Sequence, residues 1–188
     1  GMQGGTAATQ DVFIEHVGMP ILACIPQAVK ALQDLGMHRK VQLIVSGGIR
    51  SGADVAKAMA LGADAVAIGT AALIALGDND PKLEAEYQKL QTTADAYDDW
   101  HEGKDPAGIT TQDPELFKRF DPVLGGRRLK NYLKVMTLEA QTIARACGKN
   151  HLHNLEPEDL CSLTIEAAAM AGVPLAGTSW IPGRNGGF

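Results

Sequence analysis

The residues best placed to do chemistry lie between Val41 and Thr70, in VQLIVSGGIRSGADVAKAMALGADAVAIGT. One glycine turn, Ser46-Gly47-Gly48-Ile49-Arg50, follows an apolar run, and a second, Gly69-Thr70, follows another. Consecutive glycines accept positive φ and let a ligand reach backbone amides with no Cβ in the way. Amides at the head of a helix, where the helix end carries roughly half a positive charge, suit a dianionic phosphate. Ser46, Gly47, Gly48, Ile49, Gly69 and Thr70 are therefore candidate phosphate ligands, and Arg50 adds charge if its side chain turns inward. The same glycines could serve only to make tight turns between strand and helix. A dinucleotide site fits less well, because Gly47-Gly48-Ile49-Arg50-Ser51-Gly52 lacks the spacing of G-x-G-x-x-G.

The elements that must position these turns are legible around them. Val41, Leu43, Ile44 and Val45 form a run too short for a helix, which predicts a strand buried on both faces. Ser51, with Asp54 three residues on, predicts a capped helix whose apolar positions include Val55, Met59 and Leu61 and which Gly62 ends. Asp64 to Ile68 predicts a second buried strand, leading through Gly69-Thr70 into a helix over Ala71 to Leu76. Two parallel strands joined by a helix, each ending in a glycine turn, match the way the last two units of a (β/α)8 barrel commonly hold a phosphate.

SGGIRSGADVAKAMALGADAVAIGTAALIALG resembles the end of the FMN-binding barrel of glutamate synthases and their relatives. The pairing of a GG[IL]R turn with a GT turn is shared more widely among FMN barrels, and two flanking segments narrow the resemblance. Gly4-Gly5-Thr6 is similar to the glycine-rich loop after the sixth strand of that barrel. Pro106-Ala107-Gly108-Ile109-Thr110-Thr111-Gln112-Asp113-Pro114-Glu115-Leu116 is similar to the family segment CPVGIATQDPEL. The resemblance covers about Gly1 to Gly148. It implies an α/β fold, the C-terminal part of an FMN-binding (β/α)8 TIM barrel, followed by an α-helical extension. The corresponding division is residues 1–77 for the barrel part, 78–172 for the helices and 173–188 for a tail rich in Gly and Pro.

The function so implied is that of a flavoprotein oxidoreductase of glutamate biosynthesis and nitrogen metabolism. Its substrate would be 2-oxoglutarate or glutamate, its cofactor FMN, and its nitrogen or electrons would come from partner subunits. Gln3, Gly4, Gly5 and Thr6 would face substrate, although Ala7-Ala8 stands where relatives often carry a further glycine, and no residue is assigned as catalytic. Laying Pro106 to Leu116 on its counterpart puts Trp100, Asp105 and Thr110 where iron-sulfur cysteines are expected; none offers a thiolate, so no cluster is expected here. That absence also fits a relative that makes N-methylglutamate, a methylamine-glutamate N-methyltransferase subunit. Two readings outside the family remain: a non-flavin phosphate-binding barrel acting on a small metabolite, and a non-catalytic assembly module.

Composition bounds these readings. A chain of 188 residues can bury a core, but a complete barrel needs roughly 250 residues, so the expectation is the C-terminal part of a longer polypeptide. Open strand edges would then favour pairing with a second copy, a homo-oligomer. With 17 basic and 22 acidic residues and a formal charge of -5, no basic stripe argues for nucleic acid. No apolar stretch of about 18 residues argues for a membrane span. Three widely spaced cysteines, Cys24, Cys147 and Cys161, suit a reducing cytoplasm.

Other candidates have plainer readings. His16 falls in an amphipathic helix, and Pro26 to Leu35 predicts a second one, with Pro26 in its first turn. Asp95, Asp98, Asp99 and Glu102 lack calcium-loop spacing and read as a solvated acidic patch. Lys82 to about Tyr97 predicts a polar helix, Leu124 to Ala146 the longest helix, and Pro157 to Ala171 a final one. Arg127 and Arg128 read as solvated or ion-paired, and His151 and His153 lack an evident third metal ligand. The tail from Val173 to Phe188 reads as disordered or laid on a partner.

Overall fold

The computed structural model describes residues 1, 11–78, 80–90 and 104–184. Its helices in chain order are α1 (Asp11–His16), α2 (Ile21–Asp34), α3 (Gly52–Ala60), α4 (Thr70–Leu76), α5 (Glu84–Leu90), α6 (Pro114–Phe117), α7 (Pro122–Ala146) and α8 (Ile165–Ala171). Two strands, β1 (Ile44–Ser46) and β2 (Ala65–Ala67), complete the regular structure. The chain divides into two compact units, residues 1, 19–67 and 136–188 in the first and 2–18 and 68–135 in the second.

The first unit contains a parallel β-α-β element. β1 pairs with β2 in the register Ile44↔Ala65, Val45↔Val66 and Ser46↔Ala67, and α3 connects them. One residue sets this register from below: the Asp64 amide donates to the Leu43 carbonyl at 2.8 Å, and its carboxylate accepts the Leu43 amide at 2.7 Å. Carbonyls alternate in direction along a strand. Leu43 offers its oxygen to β2, so Ser46, three residues on, turns its oxygen to the other edge, where the Gly1 backbone nitrogen donates at 3.0 Å.

The sequence predicts strands buried on both faces, and the structure corrects this. Val45 is buried, whereas Ile44 is 64% exposed, and β2 shows the same alternation with Ala65 and Ala67 exposed. Successive side chains point to opposite faces; α2 touches β1 and α3 touches β2, and the face carrying Ile44 stays open.

On the covered side, Ala56 and Ala60 of α3 pack with Ala144 of α7 and with Leu155, flanked by Ile143, Cys147, Leu152 and Leu160. Small residues dominate because the helices approach closely. A Cβ on Gly52 would collide with the Met136 carbonyl oxygen, the Ala140 nitrogen and the Glu139 side chain, so the start of α3 rests directly on the backbone of α7. Close packing of this kind leaves no slack for an added methyl.

Several helix boundaries differ from the sequence expectations. α2 begins at Ile21, not Pro26, and keeps Pro26 inside it. Burial of Ile25, at 1% exposure, offsets the amide that Pro26 cannot donate. The expected helix over Pro157 to Ala171 is instead a 3-10 turn at Pro157–Asp159, an extended stretch, and α8, which Thr164 caps through the Ala167 amide. The expected polar helix is a 3-10 turn at Pro81–Leu83 followed by α5; the stretch from 91 to Tyr97 lies outside the described residues.

The described part of the tail is ordered against its own chain: Val173 is buried, and the Ser162 amide donates to the Pro174 carbonyl while the Ala176 amide donates to that of Ser162. Ser162 is thus held from both its backbone groups by this strap. No helix among the described residues is long and apolar enough to cross a membrane.

The seat of α3 on α7 makes a direct prediction. Gly52→Ala should destabilise the full-length protein by about 2 to 3 kcal/mol through overpacking, read as a lower urea midpoint. An unchanged midpoint would contradict the close approach.

Candidate functional site

The turn after β1 has the backbone that the sequence predicts. Gly47 and Gly48 both take positive φ, 122° and 68°, conformations that cost a side-chain-bearing residue about 1 to 2 kcal/mol. Ile49 is buried and anchors the turn from beneath, while Ser46, Gly48 and Arg50 are exposed. Ser51 caps α3 through the Asp54 amide, and Asp54 reaches back in a capping box.

The head of α3 does not supply the open positive end that the sequence suggests. The Asp54 carboxylate accepts the amides of Arg50 at 2.9 Å and Ser51 at 3.1 Å, and Glu139 accepts that of Gly52 at 2.7 Å. Two of the protein's own carboxylates occupy the place of an external anion. Arg50 follows the same charge: its Nε lies 4.0 Å from Asp54, with the side chain 82% exposed.

The second turn, described within its own unit, is different. Gly69 and Thr70 are exposed, and Gly69 precedes α4 with no side-chain cap. Its φ is -124°, and a Cβ there would meet nothing within 4 Å. Among the described residues nothing crowds this position and its φ is not left-handed, but its ψ of -93° lies outside the main α and β regions, so the turn itself also favours glycine here.

Of the remaining sequence candidates, Gln3, Gly4, Gly5 and Thr6 lie outside the described residues, as do Trp100, the acidic cluster Asp95, Asp98, Asp99 and Glu102, and the end of the tail at Phe188. Asp105 and Thr110 belong to a tightly organised loop in the second unit. One Asp105 oxygen accepts the Ala107 amide at 2.9 Å, and the other accepts those of Ile109 and Thr110 at 2.7 and 2.8 Å. Tyr87 Oη, buried, donates to Asp78 Oδ1 at 2.8 Å and lies 3.4 Å from Asp105 Oδ1. Asp78 is 4% exposed. Asp113 caps α6 through Glu115 and Leu116, as its Asp-Pro pattern predicts.

His16 is exposed at the end of α1. His151 and His153 stack with ring centroids 5.0 Å apart, and His153 Nε2 sits 3.0 Å from the Asp64 carbonyl, a position in which that nitrogen carries the hydrogen. Their role in the structure is to fasten the segment after α7 to the base of β2. No group of three or more potential metal ligands occurs among the described residues. Glu139, Tyr87 and Asp78 are polar groups that the sequence alone did not single out, and Asp105 was singled out only for the cysteine it replaces. For Asp105, the Asp-Pro-x-Gly spacing was a usable turn signal; for Glu139, whose partner is 87 positions away, there was none.

A parallel β-α-β unit together with the surrounding helices makes this an α/β protein. Residues 1–83 and 92–150 match the family model described as the conserved region in glutamate synthase, and the chain belongs to the glutamate synthase family. It is 87% identical over 185 residues to a glutamate synthase large subunit-like protein of Rhizobium meliloti, covering 98% of this chain and 42% of that protein. It is 42% identical over 155 residues to an archaeal glutamate synthase [NADPH] of Methanocaldococcus jannaschii, covering 82% of this chain and 27% of the relative. A ferredoxin-dependent glutamate synthase 1 of Arabidopsis thaliana is 31% identical over the same length, of which the match spans 8%. The chain thus spans less than half the length of these relatives.

The loop around Asp105 gives a local prediction. Asp105→Ala in the full-length protein should speed hydrogen exchange at the amides of Ala107, Ile109 and Thr110 by at least about tenfold, since charge-assisted bonds contribute ~1.5 to 3 kcal/mol. Exchange unchanged from the parent would show that the loop holds itself without the carboxylate.

Proposed function

We propose that this chain is the phosphate-holding part of an FMN-dependent barrel, the C-terminal part of a (β/α)8 fold, in an oxidoreductase that forms glutamate. Gly47, Gly48 and Ile49, with Gly69 and Thr70, would bind the flavin phosphate through backbone amides. The observation that carries the reading is the pair of exposed glycines Gly48 and Gly69 at the turns after β1 and β2, where a ligand can approach the backbone amides with no Cβ in the way. Membership of the family supports the choice of flavin over another phosphorylated ligand.

The exposed glycines fit such a group: Gly48 and Gly69 offer a phosphate neutral amide donors with no Cβ in the way, whereas Gly47 and Ile49 are buried. Asp54 and Glu139 hold the α3 end in place, and Arg50, turned to Asp54, contributes background charge more than a direct contact. Bound there, FMN would supply reducing electrons for amination of a 2-oxo acid, 2-oxoglutarate in the reading favoured here. Gln3, Gly4, Gly5 and Thr6 are proposed to line the substrate side. The names of the relatives specify NADPH in one case and ferredoxin in another, so the electron donor varies within the family. The relative named as large subunit-like supports a partner subunit for nitrogen or electron supply.

The test is a visible absorbance spectrum of the full-length protein and of its Gly69→Val variant. The parent should carry a flavin that heat releases as FMN. The variant, whose added Cβ meets no described atom within 4 Å, should retain flavin at least about tenfold more weakly while its urea midpoint stays close to that of the parent. A colourless parent that refuses added FMN, or a variant that binds it unchanged, would refute the assignment.

A further inference from the structure

The contact between Glu139 and Gly52 joins parts of the chain 87 residues apart at 2.7 Å. The Gly52 amide is buried at the first position of α3, where no intrahelical acceptor exists for it. A buried amide without a partner is costly, and Glu139 is the partner it has. The geometry is specific. The missing Cβ of Gly52 is what allows α3 to sit on the α7 backbone at Met136 and Ala140, and only from that seat does the Glu139 carboxylate reach the helix end.

The two preceding amides, of Arg50 and Ser51, are bound by Asp54 from within α3 itself. Asp54 therefore fixes the local shape of the helix start, whereas Glu139 fixes where that start stands relative to α7. The Gly47-Gly48 turn lies immediately ahead, held on its other side by the β1 register. With one end tied to the sheet and the other to α7, the turn has little freedom left.

We infer that Glu139 is a positioning residue for the Ser46 to Ser51 turn: its carboxylate, delivered from α7, clamps the first amide of α3 and thereby fixes the backbone amides of Gly47 and Gly48. As a consequence, this helix end is closed to an external anion, and a phosphate is left to the turn itself. The clamp is independent of what the turn binds; only its effect on ligand affinity rests on the flavin reading above.

The experiment compares Glu139→Ala and Glu139→Gln with the parent, all as full-length protein, by hydrogen exchange resolved to the segment 46–54 and by FMN titration. Glu139→Ala should speed exchange at Gly52 and across the turn about tenfold or more, with segments distant from α3 unaffected. Glu139→Gln, which keeps an acceptor oxygen of nearly the same reach, should restore most of that protection. FMN affinity should fall about tenfold in the alanine variant and recover in the glutamine variant. Unchanged exchange over 46–54 in Glu139→Ala, or a loss of protection spread evenly over the protein, would overturn the clamp. If the parent itself binds no FMN while the exchange results come out as expected, the flavin assignment falls and the clamp stands.

Discussion

The pairing of Leu43 with Asp64 is the constraint on which the rest of the first unit depends. Both backbone groups of Leu43 are bound by Asp64, its carbonyl by the amide and its amide by the carboxylate. A strand register shifted by one residue would turn every side chain to the opposite face, moving Val45 out of the core and Ile44 into it. Asp64 is also where His153 Nε2 attaches through the carbonyl. The segment after α7 is therefore fastened to the residue that sets the sheet.

Charge placement gives the turn its second constraint. α3 begins under two carboxylates, and α4 begins under none from a side chain. Helix ends with similar amides are thus treated differently in one chain. Where a carboxylate already satisfies the amides, as at α3, the end serves architecture; among the described residues no side chain does so at α4.

Much of this was legible in the sequence. Gly47-Gly48 and Ser51 with Asp54 each encode a local conformation, positive φ and a capping box, that needs no tertiary information, and both are found. The parallel β-α-β order followed from two short apolar runs separated by a helical pattern. What was not legible depended on distant partners. The continuous apolar run of β1 gave no hint that only one face would be covered, because the neighbours that cover a strand are not written in the strand. The start of α2 was misplaced by trusting Pro26 as a helix opener, when burial of Ile25 extends the helix back to Ile21. Asp78, a buried acceptor for Tyr87, depends on a partner nine residues away that no local pattern points to. Asp105 stands where the family resemblance expects a cysteine, and its carboxylate binds the amides of its own loop.

The central claim is that the glycine turns recognise a phosphate, and the most direct measurement is a parallel titration of the full-length apoprotein with FMN and with riboflavin. The two ligands share the ring and differ in the phosphate. The account predicts that FMN binds at least about 100-fold more tightly, the equivalent of ~2.7 kcal/mol from one or two charge-assisted amide bonds, and that the difference shrinks when Gly69 carries a side chain. Equal affinities for the two flavins, or binding of neither, would contradict it.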